Sequence, residues 1–161
     1  IDVGAAAREG VEEFKSSNPD PKLMQQVLWE TAGENKDAFA YIGYWIKACQ
    51  LIDDLFDEIE DWKNENTYEL AQLLLVDMPS NLFFHTHKLA LLPLHVTVLN
   101  AWRDSNDWKE SGDKPRKLHA LVMCEQVSDI IILVAYLSGG YEHMRKVSIK
   151  VRELFLKEEI V

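Results

Sequence analysis

Cysteine is scarce in this 161-residue chain, and the two that occur, Cys49 and Cys124, fall inside apolar stretches with helical spacing. Neither sits in a Cys-x-x-Cys pair or a zinc-finger spacing, which excludes a disulfide framework and a structural zinc site. Each reads instead as a small buried hydrophobe. Positive charge is also short: 17 Lys and Arg stand against 27 Asp and Glu, for a net charge of -10. Such a balance opposes binding to a phosphate backbone or an anionic bilayer, so neither nucleic acid nor membrane is expected as a partner. Glycine is sparse and never clustered into a phosphate-binding loop, and no nucleophile elbow is present. The most apolar run, Ile130 to Leu137, is far below the roughly 20 residues of a membrane-spanning helix, and no basic-then-apolar leader opens the chain. A cytoplasmic location follows as the expectation.

Strand alternation is missing too, while helix punctuation is abundant. Val3 to Ser16 forms a first amphipathic segment. Asn18-Pro19-Asp20-Pro21 interrupts it and starts a second helix with Asp20 as N-cap and Pro21 in its first turn, ending at Gly33. A long helix is expected from about Asn35 to Lys63. Asn66 and Glu69 form a capping-box pattern for a short one that stops near Pro79. Asn81 to Glu110 reads as a helix kinked or broken at Pro93, capped by Ser80. Asp113 caps a further helix that runs to Gly139-Gly140, and the last spans about Tyr141 to Lys157. The expected fold is all-α: a single domain over 1–161, an antiparallel bundle of about six to seven helices. Its centre would be one apolar helix at about 115–138, because Leu118, Leu121, Val122 and the run from Ile130 leave that segment with no polar face.

Chemistry has one sharp candidate. Asp53, Asp54, Asp57, Glu60 and Asp61 fall on one side of the long helix, with Leu51, Ile52, Leu55, Phe56, Ile59 and Trp62 on the other. Carboxylates three and four residues apart lie about 5 to 6 Å from each other, within reach of a shared hard cation. The run Gln50-x-x-Asp53-Asp54-x-x-Asp57 resembles an aspartate-rich motif of the class I isoprenoid synthases, especially the second motif of trans-prenyltransferases. That resemblance covers residues 50–57. It implies a Mg²⁺ site in which Asp53 and Asp57 are ligands, Asp54 supports them, and the substrate is a small molecule bearing a diphosphate.

A second constellation, Glu125-Gln126-Val127-Ser128-Asp129, lies within the expected central helix. Its carboxylates need a metal, a proton or a basic partner such as Arg103, Arg116, Lys117 or Arg145. Glu125-x-x-x-Asp129 followed by apolar residues (125–133) is similar to a motif of all-α nucleoside triphosphate pyrophosphohydrolases, which also implies Mg²⁺ and a diphosphate. The candidate metal ligands are therefore Asp53, Asp54, Asp57, Asp61, Glu125 and Asp129. Asn100, Asp104 and Asp107 recur at helical spacing and face either the same interior or water. The histidines show no zinc spacing and read as packing or capping residues.

The alternative class is a non-enzymatic helical interaction protein. There the acidic ridge faces solvent or a basic partner, Trp102 or Trp108 marks an interface, and a protein partner or a second copy covers it. The chain resembles small helical proteins of bacterial viruses, with Gly139-Gly140-Tyr141-Glu142-His143-Met144-Arg145 its most distinctive stretch, and that resemblance implies no activity. A concave, apolar-walled ridge would favour the enzyme; a convex, open one would favour interaction.

Overall fold

The computed structural model describes residues 20–156, and these are helical with no strand among them. The first expected helix, Val3 to Ser16, lies outside the described residues. In chain order the α-helices are α1 (Pro21–Thr31), α2 (Lys36–Asp57), α3 (Asn64–Gln72), α4 (Met78–Ser80), α5 (Leu82–Lys109), α6 (Lys114–Cys124) and α7 (Val127–Leu154). A 3₁₀ turn, Ile59–Asp61, follows α2, and a π-helical turn, Leu73–Asp77, joins α3 to α4.

The Asp20 cap forms as the sequence indicates, and Asn35 supplies the cap of the long helix. Asp20 accepts from the Lys22 amide, and Asn35 accepts from the Ala38 amide at the start of α2. Between them the Gly33 amide bonds to the Glu30 carbonyl and the Glu34 amide to that of Trp29, a Schellman closure with Gly33 at φ +62°. A Cβ on Gly33 would also lie only 3.2 Å from the Cβ of Ser138.

Five features depart from the sequence expectation. The long second helix stops at Asp57 rather than near Lys63, with Glu58 at φ -128°, ψ 44°. Its last turn holds acids and no basic residue, and carboxylates are disfavoured at the negative end of a helix dipole. Asn66 does not cap the next helix, which begins at Asn64; its entry is held by Trp62 Nε1 donating to Thr67 Oγ1 at 2.7 Å. Pro93 does not break α5, and the cap of α5 is Asn81, not Ser80. Pro93 and Leu89, the residue whose carbonyl it leaves unpaired, both face solvent, where water can replace the missing donor. The expected single helix over about 115–138 is two: α6 ends at Cys124 and α7 begins at Val127. The Ser128 amide and hydroxyl both bond to the Glu125 carbonyl, at 3.0 and 2.8 Å, tightening the chain into a bend.

Gly140 sits inside α7 at φ 82°, ψ -173°, a region that essentially only glycine occupies. The chain reverses there. Arg152 Nη2 lies 3.0 Å from Asp129 Oδ1, whereas 23 residues of straight helix would separate the two by about 35 Å. The arms 127–139 and 141–154 therefore form a helical hairpin, close to the boundary that Gly139-Gly140 indicates. The first arm buries Ile130, Ile131, Ile132, Val134 and Ala135, and the second buries Val147, Val151 and Leu154. Helix α1 closes over the second arm: His143 Nε2 donates to the Thr31 carbonyl at 3.2 Å, and Lys146 and Lys150 flank Glu30 at 3.2 and 3.1 Å.

The bundle is not uniformly antiparallel. Asp37 meets Asn81, Tyr41 meets Phe84, Trp45 meets His95 and Phe56 meets Trp102, so α2 and α5 run the same way. The return path through α3 and α4 makes that pairing possible. The first arm of α7 runs opposite to α2, with Trp45 Nε1 donating to the Val127 carbonyl at 2.9 Å. Among the described residues, two stretches are long and apolar enough to cross a membrane by length and composition, Leu82–Lys109 and Lys114–Leu154. The second is bent at 125–126 and reversed at Gly140.

Gly140→Ala should lower stability by about 1 to 3 kcal/mol, because the added Cβ meets open space and the whole cost is backbone strain. A thermal melt should record a drop of several degrees for a domain of this size; an unchanged melting temperature would refute the reversal.

Candidate functional site at the acidic end of helix α2

Asp53 and Asp57 are exposed one turn apart on the last two turns of α2, and Asp54 between them is half-buried and has a contact of its own. Asp61 and Glu60 sit beyond the helix, on the 3₁₀ turn. The expected continuous ridge is thus divided at Glu58. The apolar flank does not face a core along its length: Leu51 is buried, but Phe56 is 59% exposed and Ile59 67%. Helical spacing alone placed both on the inner side. Phe56 rests edge-on against Trp102 of α5, with ring centroids 5.2 Å apart. Exposed acids therefore flank a small aromatic and aliphatic platform along the chain. Lys47 of α2 pairs with Glu69 on α3 at 3.7 Å.

Glu125 and Asp129, the second constellation, each have contacts of their own. Glu125 is half-buried in the bend before α7 and has its own contact. Asp129 pairs with Arg152, an arginine outside the expected set, which the hairpin brings back across 23 residues. Among the described residues no group of three His, Cys, Asp or Glu side chains is arranged to hold a metal ion. Asn100, Asp104 and Asp107 face water, and Asn100 Nδ2 donates to Asp104 Oδ2 at 2.9 Å. An open groove elsewhere, lined by Lys22, Gln25, Gln26, Trp29 and Phe39, brings no carboxylate to its walls.

The core holds a polar pair that linear reading missed, since it joins residues 54 positions apart. The Tyr41 hydroxyl and His95 Nε2 are hydrogen bonded, and the imidazole stacks on Trp45 with ring centroids 4.7 Å apart. Burial pushes the Tyr41 hydroxyl far above its ordinary range and His95 down to about 4, so both are neutral near pH 7. Both free thiols stay unlinked, and burial, with Asp53 adding to it, pushes Cys49 up to about 12. Cys49 is therefore a protonated, unreactive thiol. The Tyr41–His95 pair works as a peg between α2 and α5. No family model, curated protein or solved structure matches the chain.

The peg has a pH signature. Unfolded, His95 takes up a proton near pH 6.5; folded, only near 4, so its stabilising effect is complete above 6.5 and is lost as pH falls through that interval. Lys150 and Lys146 hold the Glu30 carboxyl below its ordinary 4.5, so its contribution fades only in more acid solution. Urea unfolding between pH 7 and 5 should show stability falling in the wild type and a flatter profile in His95→Gln; equal slopes would refute the assignment.

Proposed function

We propose that this protein is a helical interaction protein that docks a basic, apolar-anchored partner on the end of α2. The single observation behind it is the exposure of Phe56 and Ile59 among exposed Asp53, Asp57, Glu58, Glu60 and Asp61. Apolar side chains flanked by like charge suit a partner that presents an apolar stripe flanked by Lys or Arg, such as a basic amphipathic helix. The net charge of -10 steers such a partner inward from a distance. Phe56 and Trp102, already packed together, supply a rigid anchor that loses little entropy on binding. An enzyme site for a diphosphate would instead want a recessed ridge with a basic counter-group.

A synthetic Leu/Lys amphipathic helix titrated against tryptophan fluorescence tests this reading. Binding is expected to weaken steeply with NaCl and by about tenfold or more in Asp53→Asn/Asp57→Asn and in Ile59→Ser. All three positions are exposed, so thermal stability should move by no more than about 0.5 kcal/mol per site. Equal binding by wild type and variants would reject the docking face. The Mg²⁺ reading of Asp53, Asp54, Asp57, Asp61, Glu125 and Asp129 has a different signature. It calls for submillimolar Mg²⁺ or Mn²⁺, but not NaCl, to raise the wild-type melting temperature, an effect lost in Asp53→Asn/Asp57→Asn and strengthened by inorganic diphosphate.

A further inference from the structure

We infer that the outer face of α5 is a self-association surface, on which a second copy of this chain packs its own α5 in antiparallel orientation about a two-fold axis near Leu92. The surface is separate from the acidic end of α2, and the inference does not rest on a partner docking there.

Helix α5 is apolar on two opposite sides. Phe83, Leu91, Val98 and Ala101 point inward and are buried, as a core face should be. Leu82, Leu89, Leu92, Val96 and Leu99 form the opposite stripe and are exposed, Leu89 at 86% and Val96 at 69%. Their steps of seven, three, four and three residues keep a 3.5-residue period over more than two heptads. A stripe this narrow and this regular is the seam of a helix that packs against another helix, not the broad face that lies on a core.

Two further observations select a second copy. The five side chains expose roughly 600 Å², at the upper limit of the largest apolar patch on a typical monomer. That is also most of the about 800 Å² that each partner contributes to a stable interface. The second is charge. In a chain with a net charge of -10, the stretch 82–103 contains no Asp or Glu, so two copies can approach along this face without the repulsion that the rest of the surface would impose. Orientation follows from the seam's ends. His85 and Arg103 continue the same period, and a parallel pair would set Arg103 against Arg103. An antiparallel pair sets Arg103 of each copy beside Leu82 of the other, matches Leu89 with Val96, and leaves Leu92 near its own counterpart, as an isologous two-fold contact requires.

A bilayer is the competing occupant, since Leu82–Lys109 is apolar enough to cross one. The opposite side of α5 is packed against α2 through Phe83, Phe84, His95 and Trp102, so spanning would require the fold to come apart.

Sedimentation and light scattering of the full chain test the inference. The wild type should show about twice the 18.6 kDa chain mass at micromolar concentration. Leu89→Lys/Val96→Lys should weaken association by about a hundredfold or more while leaving helicity and melting intact, because both side chains are exposed in the monomer. For orientation, Leu92→Cys should oxidise to a covalent dimer faster than Leu82→Cys. A monomeric wild type at high micromolar concentration, a dimer indifferent to the double substitution, faster crosslinking at position 82, or flotation of the monomer with phosphatidylcholine vesicles would each overturn it.

Discussion

The reversal at Gly140 is the constraint from which the rest of the architecture follows. Most of the segment 127–139 is too apolar to lie against water, and a straight continuation of α7 would leave it uncovered. Turning at a backbone conformation that side chains oppose lays 141–154 back along it. Asp129 and Arg152 then meet, and α1 closes over the second arm through Glu30, Lys146, Lys150 and His143. The surface ion pairs are individually weak, and the hairpin is held chiefly by the buried aliphatic residues of both arms.

With that hairpin supplying the aliphatic core, α2 and α5 meet it as a parallel pair joined by the Tyr41–His95 hydrogen bond and the rings around it. Desolvation of both polar groups is offset by their bond to each other, so the pair fixes which residues of α2 lie beside which of α5. The same alignment brings Trp102 under Phe56. It also turns Leu82, Leu89 and Val96 away from the core, because the inward side of α5 is filled by Phe83, Leu91 and Val98. One registration therefore produces both exposed apolar features, the platform at the end of α2 and the stripe along α5.

The two features differ in their electrostatics. The α2 end is flanked by carboxylates and suits a cationic partner, whereas the α5 stripe is free of acids and suits a neutral helix. The proposed dimer would present the proposed acidic platforms in pairs, raising the effective concentration of one for a partner that engages two.

Much of the local structure was legible in the linear sequence, because capping and helix termination are decided within a few residues. Asp20 and Asp113 cap the helices they precede, Gly33 closes α1, and Gly139-Gly140 marks the end of the apolar arm. The all-α class follows from the same signals. The candidate acids were legible as a cluster, and their position at a helix C-terminus was itself a sign that the helix would end among them. Residues 125 and 129 looked like a buried polar site because neighbouring residues are apolar; a bend and a distant arginine changed their surroundings. No local signal states that Tyr41 meets His95, that Asp129 meets Arg152, or that Phe56 and Leu89 face outward. Periodicity gives an amphipathic helix its sides, but which side is covered depends on what other helices pack there, and only the tertiary structure decides that.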